Sequence, residues 1–153
     1  MSTKKLKQLP QNLKALLQDI GENAVLFCLF TQIHQTQWKA FKNLDEAGCD
    51  IVLMNLKTSK LIKIEVKTRQ SLYSSAKKKN QNSKIFQMTR LEYNSLDFLI
   101  CYWFDDNNFF IVPKTDINGS KKSIRIRIAK DKYGGYGVNE KYRNNWDTIV
   151  KAL

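Results

Sequence analysis

The sequence predicts a mixed α/β domain, in which helices flank a central sheet of parallel and antiparallel strands. Three observations support this prediction. The chain has 153 residues, which is the length of one domain. Apolar residues recur with helical spacing near both ends of the chain. Between the ends lie short apolar or alternating segments of strand length. We therefore expect residues 1–153 to form a single domain.

Four helices are expected from apolar spacing and from helix-start signals. The first covers residues 10–18 and begins at Pro10, a residue type favoured in the first helical turn. The second covers residues 21–35. The third covers residues 89–95, where Thr89 and Glu92 have the spacing of a capping box. The last is expected over residues 140–153.

Seven strands are expected between and after these helices. Residues 50–55 and 98–104 are apolar on both faces, as in strands covered on both sides. Residues 61–67 and 124–128 alternate with a period of two, which is typical of strands with one polar face. The three shorter strands are expected at 38–41, 85–88 and 109–112.

The composition excludes several classes of protein. The three cysteines form no C-x-x-C pair, and their odd number argues against a disulfide framework. With a single histidine, His34, a zinc finger or a Ser-His-Asp triad is not expected. No apolar run approaches the ~20 residues of a membrane helix. We expect a cytoplasmic protein with reduced thiols and no membrane partner.

The charge is strongly positive and unevenly distributed. The chain has 26 Lys and Arg against 14 Asp and Glu, a net charge of +12. Residues 57–90 hold ten of the basic side chains and one carboxylate, Glu65. Such a cluster favours a polyanionic partner, of which nucleic acid is the first candidate, although a solvated basic loop is the alternative.

The isolated carboxylate belongs to a group of three ionisable residues on neighbouring predicted strands. In the strand at 61–67, Glu65 and Lys67 share one face because side chains two residues apart point the same way. A hairpin turn at 57–60 should bring Asp50 opposite position 67 or a nearby position. Two carboxylates and one ammonium group are therefore expected at one edge of these strands.

This combination suits metal-dependent hydrolysis of phosphodiesters. Two close carboxylates repel each other, and a shared hard cation such as Mg²⁺ relieves the repulsion. We expect Asp50, Glu65 and the backbone carbonyl of Val66 to bind Mg²⁺, with Mn²⁺ as a substitute, and Lys67 to assist the attacking water. In the simpler interpretation, Asp50 is a turn residue, and Glu65 and Lys67 form a solvated edge.

The arrangement resembles the bipartite motif of the PD-(D/E)xK nuclease superfamily. Asp50 precedes Glu65-Val66-Lys67 by fifteen residues, with Cys49 at the proline position. That superfamily often has a glutamate on its first core helix, and Glu22 matches it, although Glu22 has capping-box spacing from Asp19. The resemblance covers residues 21–104 and implies a restriction-endonuclease-like core. It is strongest to small group I intron homing endonucleases and archaeal-type Holliday junction resolvases.

The resemblance implies a DNA endonuclease acting as a homodimer or homotetramer, with homing- or restriction-type cleavage of both strands. Junction resolution and non-catalytic binding of nucleic acid are the alternatives. Six basic residues are expected to contact phosphates around the cleft: Arg69, Lys77, Lys78, Lys79, Arg125 and Arg127.

Overall fold

The computed structural model describes residues 9–45, 48–71 and 82–153, and it begins with one long helix. Helix α1 covers Gln11–Ile33, so the two helices expected over 10–35 are continuous. Gly21 does not interrupt the helix. It packs closely against β3, because a Cβ atom built there would lie 1.8 Å from Thr68 Oγ1. Glycine is therefore needed for packing, and α1 buries Val25, Leu29 and Ile33 beside it.

All seven expected strands are present, with shifts of one or two residues at their ends. They are β1 (Trp38–Lys42), β2 (Ile51–Asn55), β3 (Leu61–Arg69), β4 (Ser83–Gln87), β5 (Phe98–Trp103), β6 (Asn108–Pro113) and β7 (Ser123–Arg127).

Five of the strands form the central sheet, in the order β1-β2-β3-β5-β6. Strands β3 and β5 are parallel, and the other neighbouring pairs are antiparallel. The chain crosses from β3 to β5 by way of β4 and the short helix α2 (Arg90–Ser95). This arrangement confirms the expected mixed sheet and places β3 in its middle.

Strands β4 and β7 do not join the central sheet, and the sequence did not indicate this second, two-stranded sheet. They pair with each other as a separate antiparallel ribbon. Phe86 of β4 and Ile126 of β7 are buried against Leu99 and Cys101 of the main sheet. Burial of one face of the ribbon, rather than pairing at a sheet edge, therefore holds it in place.

The C-terminal region also differs from the prediction of one helix over 140–153. It contains a 3₁₀ segment at Gly137–Tyr142 and a short helix α3 at Asp147–Val150. Asn144 has a left-handed φ of 51°. Its backbone N–H donates to the carbonyl of Phe109, and its side-chain Oδ1 accepts from the N–H of Phe109 at 2.9 Å. These hydrogen bonds to edge strand β6 replace those of a continuous helix.

The sheet has a hydrophobic core on each face. One core packs α1 against the sheet through Val25, Leu29, Ile64 and Val66. The other lies under the ribbon. Cys28, Cys49 and Cys101 are free thiols, as expected. In the described part of the chain, no helix is long and apolar enough to span a bilayer.

Candidate active site

Asp50 and Glu65 lie side by side on adjacent strands. The antiparallel register pairs Ile51 with Ile64, so Asp50, one residue before β2, lies opposite Glu65, within the expected range of position 67 or a nearby position. The N–H of Asp50 donates to the carbonyl of Ile64 at 3.0 Å, and Asp50 Oδ2 accepts from the N–H of Val66 at 2.7 Å. Backbone pairing and this side-chain hydrogen bond together hold the Asp50 carboxylate beside β3.

Lys67 joins this pair of carboxylates from the same face of β3. Its Nζ lies 2.9 Å from Glu65 Oε1 and 2.8 Å from Glu92 Oε1. Glu92 is itself held by the capping box of α2, in which its Oε2 accepts from the N–H of Thr89 at 2.7 Å. The short helix α2 thus supplies a second anion that fixes the Lys67 ammonium.

Burial makes the two carboxylates electrostatically unusual. Glu65 is only 2% exposed, and its Oε2 atom has no hydrogen-bond partner among the residues that the structure describes. Burial and the nearby charge of Asp50 raise the pKa of Glu65 to about 8. Burial and the charge of Glu22 raise the pKa of Asp50 to about 6, although the Val66 N–H and Lys67 oppose the shift. A solvated edge is therefore excluded for Glu65, which lies on a central strand.

Lys67 keeps its proton, and so its positive charge, in this environment. Burial disfavours its charged form, but hydrogen bonds from Lys67 to Glu92 and Glu65 outweigh that effect and raise its pKa. Lys67 is therefore a hydrogen-bond donor and a positive charge at neutral pH, and not a free base.

Glu22 approaches the site from α1. Gln18 Nε2 donates both to Glu22 Oε1 at 3.1 Å and to the carbonyl of Val66 at 2.8 Å. Glu22 Oε2 also pairs with Lys42 Nζ at 3.2 Å. Asp19 does not cap a helix, because α1 begins eight residues earlier; it pairs with Lys42 instead. Glu22 therefore lies at the outer side of the carboxylate pair.

The donor set fits a hard divalent cation. Among the residues that the structure describes, no three His, Cys, Asp or Glu side chains form a group that could hold a metal ion. The oxygens available are those of Asp50, Glu65 and the Val66 carbonyl, which also accepts from Gln18. Mg²⁺ binds through one or two carboxylates and retains several waters. Such a cation would supply the contact that Glu65 Oε2 lacks among the described residues. Its positive charge would also lower the raised pKa values of Asp50 and Glu65.

A cavity of about 420 Å³ opens beside Lys67. It runs between α1, the end of β3 and the ribbon strand β4. Its lining residues are Gln18, Lys67, Thr68, Arg69, Ile85, Phe86 and Gln87. The expected DNA contact Arg69 therefore lies at the candidate site.

Two other expected DNA contacts, Arg125 and Arg127, do not line this cavity. Arg125, which is exposed, and Arg127, which is half-buried, are on ribbon strand β7 and not among the cavity-lining residues. Lys77, Lys78 and Lys79 lie outside the described residues.

Two residues of the site were not identified from the sequence. Gln18 lies four residues before Glu22 on one helix face, a relation concealed by the expected break at Gly21. Glu92 was recognised only as a capping residue, and its ion pair with Lys67 depends on how α2 packs beside β3. The capping-box motif was the available signal for Glu92.

Comparison with known proteins identifies a structure with a similar fold but does not assign the chain to a family. No protein-family model matches the sequence, and no curated protein matches it. Among solved structures, the chain is similar to the bacterial homing endonuclease I-Ssp6803I, with a TM-score of 0.64 and 19% sequence identity. The match covers 91% of this chain and 93% of that chain. Over nearly its whole length, the chain therefore has the fold of that homing endonuclease, which confirms the predicted fold class.

Proposed function

We propose that this protein is a metal-dependent DNA endonuclease of the PD-(D/E)xK superfamily. The observation that carries the proposal is the convergence of Asp50, Glu65 and Lys67 at the centre of the sheet, beside an open cavity. Two carboxylates with raised pKa values and a fixed ammonium form an arrangement suited to phosphodiester hydrolysis.

The residues have distinct roles in this proposal. Asp50, Glu65 and the Val66 carbonyl would hold Mg²⁺ or Mn²⁺. When bound, the cation would polarise the scissile phosphate and lower the pKa of nearby water. Lys67, with one N–H left after its contacts with Glu65 and Glu92, would donate it to a phosphate oxygen on which negative charge develops. The water oxygen would bond to phosphorus and release its proton to solvent, the phosphorus–oxygen bond to the leaving strand would break, and a proton from solvent would neutralise the departing oxygen.

Three further residues position this machinery. Glu92 holds Lys67 Nζ at 2.8 Å, so the ammonium has a fixed direction. Gln18 and Lys42 hold Glu22, which acts as an outer carboxylate next to the cation site. Glu92 acts from α2, Gln18 from α1 and Lys42 from β1, so all three contacts depend on tertiary packing.

DNA is the proposed substrate, and double-strand cleavage of the homing or restriction type is the proposed reaction. The net charge of +12 favours a polyanion. The solved structure that shares this fold is named a homing endonuclease, and the match extends over nearly both chains. That likeness favours homing-type cleavage over junction resolution. Arg69 would contact phosphates at the cavity, and Arg127 would contact phosphates from β7. Arg125, Lys77, Lys78 and Lys79 are further candidate contacts to DNA.

A homodimer or homotetramer would place two such sites on opposite strands. Helix α1 offers a surface for this association, because apolar side chains at helical spacing are exposed along it. These side chains are Leu13, Leu16, Ile20, Phe27 and Phe30. Phe27 is the most exposed of the five, at 70%.

The proposal is tested by cleavage of linear duplex, four-way-junction and single-stranded DNA in Mg²⁺. Wild-type protein should cut duplex, and Asp50→Asn and Lys67→Ala should each reduce the rate at least ~100-fold while DNA binding persists. Asp106→Asn, in the turn before β6, is the matched control and should cut normally. Full activity of either site variant would refute the assignment.

The second candidate is a non-catalytic nucleic-acid-binding protein. The basic charge favours it, and the buried Glu65 argues against it, since a binding surface gains nothing from a buried carboxylate beside Asp50. Salt-sensitive DNA binding without cleavage in either Mg²⁺ or Mn²⁺ would establish this alternative.

A further inference from the structure

One face of the β4–β7 ribbon carries several exposed side chains. In the register of the ribbon, Ile85 lies opposite Arg125, and Gln87 lies opposite Ser123. These side chains point away from the buried Phe86 and Ile126, since neighbouring residues in a strand alternate between faces. Ile85, Gln87 and Arg125 are all exposed.

We propose that this open face of the ribbon enters the major groove of DNA, where Gln87 and Arg125 contact base edges beside the cleaved bond. The inference rests on the proposed function, and it goes further in assigning sequence discrimination to a named element. It also assigns Arg125 to bases rather than to phosphates.

Shape and charge support this partner. The major groove, about 12 Å wide, admits a two-stranded ribbon, whose strands lie about 4.8 Å apart. The ten residues of β4 and β7 include Lys84, Arg125 and Arg127 and no acidic residue. A groove flanked by phosphates therefore complements the ribbon, whereas an acid-poor, arginine-bearing face is a poor match for another copy of this basic chain.

The position of β4 connects base reading to the reaction site. Gln87 and Ile85 line the same cavity of about 420 Å³ as Lys67 and Arg69. A phosphate held at Lys67 would therefore have base pairs within reach of the ribbon. The contacts are expected close to the cleaved bond and not at a distant part of the target.

The chemistry of the open face matches the donor and acceptor pattern of the major groove. Glutamine pairs in bidentate fashion with adenine, arginine pairs with guanine, and an apolar side chain contacts the methyl group of thymine. Gln87, Arg125 and Ile85 supply one of each. Arg125 Nη1 donates to Ser83 Oγ at 3.2 Å, which orients the guanidinium without neutralising it.

Arg127 is less suited to base contact. It is half-buried, its Nε lies close to Gly137, and its charge acts on Asp131. We therefore assign Arg127 to support of the ribbon and to phosphate contact.

The test is iterative selection of a 30-bp random duplex pool by full-length protein in Ca²⁺, followed by sequencing of the bound DNA. Wild-type protein should select a consensus. Gln87→Ala and Arg125→Ala should each lose about tenfold or more discrimination at one or two adjacent base pairs. Gln32→Ala and Lys151→Ala, at exposed positions outside the ribbon, are the matched controls and should select the wild-type consensus.

Other outcomes overturn the inference in distinguishable ways. A wild-type consensus that both ribbon variants retain would show that another element reads the bases. Cleavage of duplex with no consensus would reject base reading while leaving the nuclease intact. Failure to bind the pool would reject the proposed function itself. A change of sedimentation coefficient in the ribbon variants, with unchanged DNA selection, would assign this face to protein contacts instead.

Discussion

Lys67 Nζ lies 2.9 Å from Glu65 Oε1, and the Glu65 side chain is almost completely excluded from solvent. The second oxygen of Glu65 lacks a hydrogen-bond partner among the described residues, so Lys67 does not satisfy this side chain fully. The site is therefore held in place by Lys67 but is incomplete in its polar contacts.

Stability without metal should fall as pH rises. The folded-state pKa values of Asp50, about 6, and Glu65, about 8, lie above their ordinary values of 3.8 and 4.5. The neutral acids thus contribute stability that is complete below about pH 4 and is lost as pH rises through about 6 and 8. We expect the free energy of unfolding in EDTA to fall by about 2–4 kcal/mol between pH 5 and 8.

Urea denaturation at several pH values measures this dependence. The variant Glu65→Gln cannot ionise at that position, so its stability should vary much less over the same range. An equal slope in wild type and variant would mean that Glu65 is not the titrating group.

Divalent cations should stabilise the folded protein. A cation that binds Asp50 and Glu65 only in the folded state raises Tm by mass action. At pH 8, millimolar Mg²⁺ or Mn²⁺ should raise the Tm of wild-type protein by a few degrees. Asp50→Asn should abolish the increase, while Asp106→Asn should preserve it; a shift of equal size in all three proteins would reflect non-specific binding. Thermal unfolding by circular dichroism is the measurement.

Gly21→Ala should be strongly destabilising. The new Cβ would lie 1.8 Å from Thr68 Oγ1, so α1 would have to move away from β3. We expect a loss of about 2–4 kcal/mol, and slower cleavage, because α1 carries Gln18 and Glu22.

A compensating substitution tests the cause. Thr68 Oγ1 is buried without a hydrogen-bond partner in residues 9–45, 48–71 and 82–153, so Thr68→Ala alone should cost little. The double variant Gly21→Ala/Thr68→Ala should recover much of the lost stability in urea denaturation. Purely additive effects would contradict the close contact between these two residues.

Glu92→Gln should slow cleavage, because the Lys67 ammonium would lose its ion pair with the Glu92 carboxylate. The neutral side chain would weaken the 2.8 Å contact and lower the pKa of Lys67. We expect the cleavage rate to fall at least about tenfold with nearly unchanged DNA affinity. We also expect the decline of the cleavage rate at alkaline pH to begin at a lower pH than in wild type. Thr89→Ala removes the cap but keeps the Glu92 charge, so it should cost about 1 kcal/mol of stability and retain the pH profile. Identical profiles for both variants would limit Glu92 to capping.

Phe27→Glu should disrupt self-association. A charge in the exposed apolar stripe of α1 opposes burial against another copy. In sedimentation velocity, the variant should be monomeric and should nick duplex rather than cut both strands. Val138→Glu, at an exposed apolar position outside the stripe, should keep the wild-type size. Oligomers of unchanged size in Phe27→Glu would exclude this face.

Local patterns in the sequence predicted much of this structure. All seven strands, the Thr89–Glu92 capping box and the polar face of β3 follow from periodicity and spacing over a few residues. The grouping of Asp50, Glu65 and Lys67 was predicted as well, because a hairpin turn and strand alternation constrain which side chains can meet.

Tertiary structure decided the rest, and the reason is the same at each place. The continuity of α1 through Gly21 depends on the approach to Thr68, and the break at Asn144 depends on hydrogen bonds to Phe109. Glu92 pairs with Lys67 through a contact between segments distant in sequence. Contacts of the same kind separate the ribbon from the main sheet. The periodicity of the sequence indicates which face of each helix or strand is apolar. Which element covers that face is determined only by the packing of the elements in the folded protein.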